Sequence, residues 1–585
     1  MIQDWLVEFE AALMAQDADA ATGLFAPEGI WRDLLAFTWN IVTCEGRPQI
    51  SSMLTECLTH VAPHNFRVTQ MDGTDAAWIA FETATATCIG RVVVHDGRAN
   101  VLFTAMEDLI GHEEARGPSR PMGLTHKADR ARTTWSETRA DWSARIGRDI
   151  QPHTLIIGGG QGGIALAARL KSFGVSALVV EKNPRAGDSW RNRYRSLVLH
   201  DPVWYDHMPY LPFPETWPVF CPKDKMGDWL EAYASIFELD IWTETVCTSA
   251  IRDDAAGRWV VTVQRGGEEI ELAPQELVFC TGAYGPPNMP EFAGRAQFAG
   301  QLIHSSAYSE GTAHAGQRAV VIGSGSSAHD VAVDLWEAGA EVTLLQRSPS
   351  TIVRSETLLR HAFKPYSEEA LANGEDHHRA DTRGAATPYA LFTEGQKRLY
   401  QTIRTEDAEF YDALAAAGFA LDFGEDDSGL MMKALRTASG YYIDVGASQL
   451  IIDGAIDVVA GDPVDQLVEG GIKLASGRVL EADVIIACTG YQSMNEALAP
   501  IISRAAADAV GPCWGLGSGV RGDPGPWLGE LRNMWKPTAI DGMWFHGGNL
   551  ALSRYYSRFV ALQLKARAEG IPTPVYGRPA PQSGF

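Results

Sequence analysis

Residues 154–163 read Thr154-Leu155-Ile156-Ile157-Gly158-Gly159-Gly160-Gln161-Gly162-Gly163, a short apolar run followed by a glycine-rich turn. The apolar run predicts a buried strand, and the helical spacing of apolar residues from Ile164 to Phe173 predicts a helix after the turn. The run Ala177–Val180 predicts a second, parallel strand, and Glu181 follows it. This order of strand, G-x-G-x-x-G turn, helix, strand and acid predicts a βαβ unit that binds a nucleotide pyrophosphate.

Each glycine of this turn has its own physical role. Gly158 makes the tight turn, Gly160 lets the backbone approach a pyrophosphate, and Gly163 lets helix and strand pack closely. The free N–H groups at the start of the helix then bind the phosphates. Glu181 lies at the distance expected for an acid that accepts hydrogen bonds from ribose hydroxyls.

A second unit of the same kind starts at Arg318. A strand over 319–322 leads into the turn Gly323-Ser324-Gly325-Ser326-Ser327-Ala328, followed by a helix to Ala338 and a strand from Glu341. Arg347 stands in the region where Glu181 ends the first unit, and a guanidinium binds the 2′-phosphate that a carboxylate would repel. The alternative is a solvent-facing arginine. We therefore predict FAD at the first turn, NADPH at the second, and hydride transfer between them.

Charge and cysteine content exclude several other classes. The formal net charge is -24, which disfavours nucleic acid or an anionic membrane as a partner. None of the eight cysteines forms a Cys-x-x-Cys pair or a metal-ligand spacing, so we expect no metal site and no redox dithiol. No signal peptide or membrane span is evident in the sequence, and a cytoplasmic location is expected.

The segment between the two turns carries a further motif. Residues 298–308 fit F-x-G-x-x-x-H-x-x-x-Y through Phe298, Gly300, His304 and Tyr308. This motif resembles the fingerprint of class B flavin-containing monooxygenases. Other segments resemble the same family, and plant indole-pyruvate monooxygenases in particular, so that the resemblance covers about residues 153–570. These segments are Gly187–Arg191, Leu199–Pro214, Cys280–Gly282, Asp483–Tyr491 and Asp541–Gly548.

The resemblance implies further site residues. FAD would also contact Lys182, Trp190, Thr281 and Gly547, whereas NADPH would be held by Gly323, Ser324, Gly325, Ser326, Ser327, Arg347, Ser348, Thr489 and Gly490. Substrate-side candidates are His200, Asp201, Tyr555 and Tyr556, although an aromatic packing stripe explains the two tyrosines equally well. We expect His304 to bind backbone and fix domain orientation, with Tyr308 in the same coupling role, and assign no catalytic side chain. Cys280 and Cys488 are expected to act as small packing residues.

The resemblance also implies a reaction. NADPH would reduce FAD, dioxygen would form a flavin C4a-hydroperoxide, and a small organic substrate would be oxygenated at nitrogen, sulfur or a carbonyl group. Alternatives are a Baeyer–Villiger monooxygenase and an uncoupled NADPH oxidase. Tyr308-Ser309 stands where the Baeyer–Villiger branch typically carries Trp-Pro. A disulfide reductase needs a redox dithiol, and a scaffold protein would show no turnover.

The first 111 residues resemble a nuclear-transport-factor-like (SnoaL-type) cone domain. The resemblance rests on a helical opening from Trp5 to about Leu24, on residues 24–33 and 45–50, and on later strands. Asp33 and His64 are its polar candidates for a cavity. A dimer contact, as in a homodimer, or a lid on the flavin domain is the expected role.

The predicted fold class is α/β, with two nested Rossmann-like domains behind a small α+β domain. The predicted boundaries are 1–111 for the SnoaL-like domain, 112–152 for a linker, 153–297 and 483–571 for the FAD-binding domain, 298–482 for the NADPH-binding domain, and 572–585 for a flexible tail.

Overall fold

The computed structural model describes residues 2–123, 128–282, 285–578, 582, 584 and 585. Residues 124–127 of the predicted linker, and 579–581 and 583 of the predicted tail, lie outside the described residues. Among the helices that are described, none has both the length and the apolar character needed to cross a membrane.

The N-terminal domain packs three helices on a six-stranded sheet. Phe9 lies at its centre, where its ring contacts those of Trp5, Phe25, Trp31 and Phe66. The elements are α1 (Ile2–Met14), α2 (Ala18–Gly23), β1 (Phe25–Leu34), β2 (Ile41–Glu45), α3 (Gly46–Val61), β3 (His64–Met71), β4 (Ala76–Glu82), β5 (Ala86–His95) and β6 (Arg98–Leu109). The strand order is β2-β1-β6-β5-β4-β3, with only β1 and β6 parallel.

Two features of this domain differ from the sequence expectation. The helical opening is broken, because Asp17 caps a new helix by accepting a hydrogen bond from the Ala20 backbone N–H. Helices and strands alternate rather than follow one another, since α3 lies between β2 and β3. The sequence concealed β1, whose Pro27, Glu28 and Arg32 interrupt the apolar pattern of a strand.

Among its described residues, the predicted linker contains one α-helix, α4 (Trp135–Arg145), and a short 3-10 helix over Gly117–Ser119. Helix α4 is attached to the following unit through Asp240, whose carboxylate accepts hydrogen bonds from Arg139 at 2.6 Å and from the Trp142 indole at 2.6 Å. The first nucleotide unit then begins. Its elements are β7 (Thr154–Ile157), α5 (Gln161–Ser172), β8 (Ala177–Val180), α6 (Asp188–Arg191), α7 (Lys223–Ile236), β9 (Ile241–Trp242), β10 (Thr245–Asp253), β11 (Arg258–Arg265), β12 (Glu268–Leu272) and β13 (Glu276–Phe279).

The second nucleotide unit includes a helical insertion between its strands. Its elements are β14 (Gln301–His304), β15 (Arg318–Ile322), α8 (Ser326–Glu337), β16 (Glu341–Gln346), β17 (Thr351–Arg354), α9 (Ser355–His361), α10 (Glu368–Ala372), α11 (His377–Ala385), α12 (Tyr389–Glu406), α13 (Ala408–Ala416), α14 (Gly429–Thr437), β18 (Tyr441–Asp444), α15 (Ala447–Ile452), β19 (Asp457–Ala460), β20 (Val464–Val468), β21 (Gly471–Leu474), β22 (Val479–Glu481) and β23 (Val484–Ala487).

The chain then returns to the first unit through α16 (Leu498–Ile501), α17 (Arg504–Val510), β24 (Met543–Phe545) and α18 (Leu550–Ala568). The first unit has a parallel sheet of order β24-β13-β7-β8-β9, and the second has a parallel sheet of order β14-β23-β15-β16-β19. The α/β class with two nested Rossmann-like units is confirmed.

The predicted return to the first unit at residue 483 comes too early. Strand β23 pairs with β14 and β15 and is therefore a central strand of the second sheet. Its apolar run suits a buried strand of either sheet, so the sequence alone did not reveal which one it joins.

The N-terminal domain and the first unit share one continuous apolar core, which contains both Trp31 and Leu155. The described tail also contacts this domain, because the Tyr576 backbone N–H donates to the Thr38 carbonyl at 2.9 Å. The N-terminal domain is therefore packed directly against the nucleotide-binding body.

Candidate active site

In the first glycine turn, two glycines are required by close packing and a third is not. Gly158 has φ +108°, and an added Cβ would lie 2.4 Å from the Cys280 carbonyl oxygen. A Cβ on Gly163 would lie 2.0 Å from the Gly158 oxygen, so helix and strand pack too closely for a side chain. At Gly160 the nearest atom is 3.6 Å away, on Ser189. The backbone at Gly160 is therefore open to a ligand.

The second turn repeats this geometry. Gly323 has φ +132°, and its added Cβ would lie 2.4 Å from the Cys488 carbonyl oxygen. Around Gly325 the nearest atom is the Tyr441 carbonyl oxygen at 3.5 Å. Ala328, in the third position, is 1% exposed and fills the packing space. Both turns therefore present an open middle glycine above the start of a helix, which is the arrangement that binds phosphates.

The two units differ at the ends of their second strands. Glu181 is buried, and its carboxylate accepts hydrogen bonds from the backbone N–H groups of Gly159 at 2.7 Å and Asn183 at 2.8 Å. The equivalent position in the second unit is Gln346, whose amide donates to and accepts from the Ala420 backbone at 2.8 Å. Arg347, the next residue, is exposed, and its guanidinium makes no hydrogen bond or ion pair within the described part of the chain.

Further FAD candidates surround the first turn. The Trp190 indole nitrogen is buried without a hydrogen-bond partner in the described structure. Thr281 and Lys182 are exposed, and each lies two residues after the end of a strand, β13 and β8 respectively. The Gly547 Cα would lie 3.4 Å from a Cβ on Gly162, in the first turn of α5. An unpartnered indole N–H beside an open, amide-rich turn fits a bound dinucleotide.

The NADPH candidates surround the second turn. Ser324 and Ser350 share a hydrogen bond of 2.7 Å between their hydroxyls, and the Ser326 hydroxyl donates to the Tyr441 carbonyl at 3.2 Å. Ser327 and Ser348 are half-buried at the same turn and strand end. A cradle of hydroxyls and open backbone beside Arg347 fits a phosphorylated dinucleotide.

Two fingerprint residues, His304 and Tyr308, form hydrogen bonds within and beside the second unit. His304 donates from Nε2 to the Gly490 carbonyl at 3.1 Å, and its Nδ1 accepts from the Ser306 backbone N–H at 3.1 Å. Burial lowers the pKa of His304, so the imidazole is neutral. The expected backbone hydrogen bond of His304 is confirmed. Tyr308 donates to Asp334 on α8 at 2.6 Å.

The two chain segments that connect the units are joined to each other, and we call residues 285–288 and 489–492 the crossover ribbon. The Gly285 N–H donates to the Gln492 carbonyl at 2.7 Å, and the Gln492 N–H donates back to Pro286 at 2.9 Å. The Thr489 hydroxyl donates to the Asn288 carbonyl at 2.6 Å. Thr489 and Gly490, predicted for NADPH, thus lie in this ribbon.

His200 and Asp201 lie where the first unit contacts α8 and α18. His200 Nε2 is 3.4 Å from an Asp330 carboxylate oxygen. Burial lowers the pKa of His200, but the hydrogen bond and charge of Asp330 outweigh burial and raise it. Asp201 accepts a hydrogen bond of 3.4 Å from Asn549, and burial raises the pKa of this carboxyl to about 6. Asn549 also donates to the Tyr205 hydroxyl at 3.2 Å.

Tyr555 and Tyr556 lie further along α18. Both are buried, at 7% and 4% exposure, and their rings pack edge to face with centroids 5.2 Å apart. The Tyr556 ring also stacks on Trp535 at 3.9 Å. The two tyrosines are therefore in close aromatic packing, apart from the Asp201 and Asn549 contacts.

The structure does not bring Asp33 and His64 together. Asp33 is fully buried on β1, where it accepts hydrogen bonds from Thr38 and Thr104 and from the Phe37 backbone N–H, while burial raises its pKa to about 6. His64 lies on the edge strand β3, with Nε2 3.6 Å from Glu82. Three strands separate β1 from β3.

Sequence reasoning missed a buried cluster between the N-terminal domain and α18. It contains Arg32, Glu530, Trp535 and Tyr556, of which only Tyr556 was a candidate. A signal existed: Arg32-Asp33 places two charges inside the run Ile30-Trp31-Arg32-Asp33-Leu34-Leu35, and a buried charge requires a partner.

The eight cysteine thiols are buried or half-buried. All eight cysteines are free. Burial raises the pKa of Cys488 to about 12 and raises that of Cys280 further, so both thiols stay protonated. Within the described ranges, no three His, Cys, Asp or Glu side chains are grouped so as to hold a metal ion.

Comparisons with known proteins agree with this geometry. The family described as pyridine nucleotide-disulphide oxidoreductase matches residues 155–434. The indole-3-pyruvate monooxygenase YUCCA1 of Oryza sativa subsp. japonica is 31% identical over 347 residues, covering 58% of this chain and 77% of that protein. The probable indole-3-pyruvate monooxygenase YUCCA3 of Arabidopsis thaliana is 29% identical over 349 residues, covering 58% and 73%.

A solved structure shares the fold. Cyclohexanone monooxygenase, bound to epsilon-caprolactone in the Loose conformation, aligns with a TM-score of 0.51 and 19% identity, covering 72% of this chain and 88% of its own. Because the fingerprint, both glycine turns and the similarity to the rice enzyme agree, the chain belongs to the class B flavin-dependent monooxygenases and is an enzyme that uses FAD, NADPH and dioxygen.

Proposed function

We propose that FAD lies on the turn from Gly158 to Gly163 and that Glu181 accepts hydrogen bonds from its ribose. The open backbone at Gly160 supports this placement, as does the Trp190 indole N–H, which has no hydrogen-bond partner among the described residues. Lys182, Thr281 and Gly547 complete the proposed FAD contacts.

NADPH is proposed to lie on the turn from Gly323 to Ala328, with its 2′-phosphate bound by Arg347. The open backbone at Gly325 supports this proposal, as does the exposed Arg347 side chain, for which the described part of the chain supplies no ion-pair partner. Ser324, Ser326, Ser327, Ser348, Thr489 and Gly490 are the remaining proposed NADPH contacts.

FAD held on the first turn would supply hydride acceptance and dioxygen activation, with NADPH on the second turn as the hydride donor, and one oxygen atom would enter the substrate while the other would leave as water. The chain's own residues bind and orient the two nucleotides and exclude water from the site. His304 and Tyr308 contribute by holding the fingerprint to Gly490 and Asp334, and neither side chain transfers a proton in this proposal.

The proposed substrate is a small carbonyl compound of the 2-oxo acid class. The similarity to proteins named indole-3-pyruvate monooxygenases supports this choice. His200 and Asp201 are the proposed substrate-side residues, whereas Tyr555 and Tyr556 are proposed to act through aromatic packing on α18. Oxygenation by Baeyer–Villiger chemistry is the alternative within the carbonyl class.

A small amine is the second candidate substrate, for N-oxygenation. Asp201 lies near the start of α18, where it accepts a hydrogen bond from Asn549, and Asp206 Oδ2 is buried without a partner among the described residues. An unpartnered carboxyl oxygen can accept a hydrogen bond from an amine N–H.

The N-terminal domain is proposed to cover the flavin unit rather than to hold a second active site. The complete set of hydrogen bonds to the Asp33 carboxylate supports a structural role for that residue. A cytoplasmic location is proposed on the eight unpaired thiols, and a homodimer through this domain stays a prediction.

The test combines anaerobic reduction with product analysis. The reconstituted enzyme should bleach with NADPH without oxygen, then convert indole-3-pyruvate in air with loss of carbon dioxide. An aromatic amine and a sulfide are tested alongside it. Oxygenation of the amine alone would replace the carbonyl proposal, and peroxide release equal to NADPH consumption with all three compounds would indicate an oxidase.

A further inference from the structure

The N-terminal domain places a buried arginine, Arg32, against the first nucleotide unit. Arg32, on β1, is 1% exposed, and its Nε and Nη2 donate to the two carboxylate oxygens of Glu530 at 2.6 and 2.9 Å. Its Nη1 donates to the Ala385 carbonyl at 2.6 Å. The guanidinium also lies over the Tyr389 ring, 4.7 Å from its centroid. Every side-chain nitrogen of Arg32 is therefore engaged by another part of the chain.

Arg32 also contacts the aromatic residues behind the first turn. Nη2 donates to the Tyr556 hydroxyl at 3.2 Å. The Tyr556 ring stacks on Trp535, with centroids 3.9 Å apart and planes 8° from parallel. Stacked rings restrict each other's tilt, so a fixed Tyr556 hydroxyl also fixes the plane of Trp535.

Trp535 in turn holds the strand end that faces the first turn. Its indole N–H donates to the Gly547 carbonyl at 3.1 Å, and its backbone N–H donates to the Phe545 carbonyl at 3.0 Å. Gly547 lies directly beside Gly162, in the first turn of α5. Arg32, Tyr556, Trp535 and Gly547 thus form a continuous chain of contacts from the N-terminal domain to the proposed FAD site.

We propose that Arg32 is a positioning residue for FAD, acting through Tyr556 and Trp535 on the carbonyl of Gly547. This inference rests on the proposed placement of FAD beside Gly160 and Gly547. It assigns the N-terminal domain a direct part in the flavin site, in addition to its packing role. FAD affinity and the flavin's environment then depend on a side chain from outside both nucleotide units.

The experiment uses the full-length holoenzyme with three substitutions: Arg32→Met, Tyr556→Phe and Trp535→Phe. Tyr556→Phe keeps the ring stack and removes only the hydroxyl, whereas Trp535→Phe removes the N–H that Gly547 accepts. Readouts are the FAD dissociation constant, the visible spectrum of bound FAD, and peroxide released per NADPH. We expect about tenfold weaker FAD binding for Arg32→Met and smaller shifts in the same direction for the other two.

Asp72→Asn is the matched control, because it weakens a different ion pair between the N-terminal domain and the nucleotide-binding body. Asp72 is paired with Arg383 on α11 at 3.0 Å and with Arg91 at 2.7 Å, and none of these residues contacts Trp535 or Gly547 among the described contacts. This variant should lower thermal stability but leave FAD affinity, spectrum and peroxide yield unchanged. Arg32→Lys should recover part of the FAD affinity, because it restores the buried charge.

The inference is overturned if Tyr556→Phe and Trp535→Phe bind FAD with wild-type affinity and spectrum, and this holds even where Arg32→Met does not fold. Equal effects of Asp72→Asn and Arg32→Met would also overturn it, since both would then act through domain docking. Gly160→Ala tests the proposed placement of FAD independently of Arg32. If this variant still binds FAD normally, the proposed FAD site itself is wrong.

Discussion

The two glycine turns share their backbone geometry and differ in the residue that follows the second strand. In each, the first glycine lies 2.4 Å from a cysteine carbonyl oxygen, measured from an added Cβ, and the middle glycine is open. In the first unit, strand β8 is followed by the buried acid Glu181. In the second unit, strand β16 ends at the neutral Gln346, which is followed by the exposed Arg347. Fold requirements and ligand choice therefore reside at different positions, so each can be changed separately.

The largest expected effect follows from the two middle glycines. Gly160→Ala and Gly325→Ala place a methyl group in open space, so both variants should fold, but the methyl occupies the position of a pyrophosphate. Gly160→Ala should weaken FAD binding by about 100-fold or more, roughly 2.7 kcal/mol. Gly325→Ala should stay yellow and lose reduction by NADPH to a similar degree. Flavin titration and anaerobic stopped-flow reduction measure these two losses.

Gly163→Ala is the contrasting control. Its Cβ would lie 2.0 Å from the Gly158 oxygen, so this variant should fail to fold rather than lose a ligand selectively. Normal FAD binding by Gly160→Ala, or a stable Gly163→Ala protein, would contradict the conclusion that different glycines serve folding and ligand binding.

Arg347→Gln tests the difference between the two strand ends. Loss of a charge-assisted contact to the 2′-phosphate should raise KM for NADPH by about 30-fold, roughly 2 kcal/mol, and leave KM for NADH unchanged. Steady-state kinetics with both nucleotides give the ratio. Arg478→Gln, at another exposed arginine, serves as the control. An equal rise with NADH would show that Arg347 does not recognise the phosphate.

Glu181→Gln should have a smaller effect. The amide oxygen still accepts one of the hydrogen bonds from Gly159 and Asn183, but the charge that strengthens both is lost. We expect FAD binding to weaken by about tenfold, roughly 1.4 kcal/mol, measured by fluorescence titration. NADPH affinity is the internal control, and a change in it alone would assign the wrong nucleotide to the first turn.

The smallest effect is expected at the two cysteines that contact the turns. Both thiols are protonated near neutral pH because burial raises their pKa, to about 12 for Cys488. Cys280→Ala and Cys488→Ala should keep kcat within about twofold, since a small packing residue replaces another. Loss of turnover in either variant would indicate thiol chemistry, as in a disulfide reductase.

Local patterns were sufficient to predict the nucleotide-binding core. Strands β7 and β8 lie where the apolar runs placed them, and helix α5 follows the glycine turn. These features depend on neighbouring residues, which a sequence displays directly. The sheet to which β23 belongs depends on pairing with β14 and β15, whose partner residues lie 183 and 165 positions earlier in the chain, and periodicity carries no such information.

In the candidate site, too, local motifs predicted contacts between nearby or motif-defined residues but not contacts between distant parts of the chain. His304 bound backbone as expected, because its motif supplied the context. The contact between Arg32 and Glu530 joins residues 498 positions apart, and nothing local to Glu530 indicates an arginine from another domain. Buried charge in β1 indicated that a partner exists without identifying it.

The crossover ribbon has a consequence for motion. Because hydrogen bonds join 285–288 to 489–492, the chain segment that leads into the second unit and the one that leads out of it lie side by side and run antiparallel. Sliding one segment along the other would break these hydrogen bonds. A rearrangement of the second unit relative to the first would therefore move both segments together, and His304 with them through its hydrogen bond to Gly490.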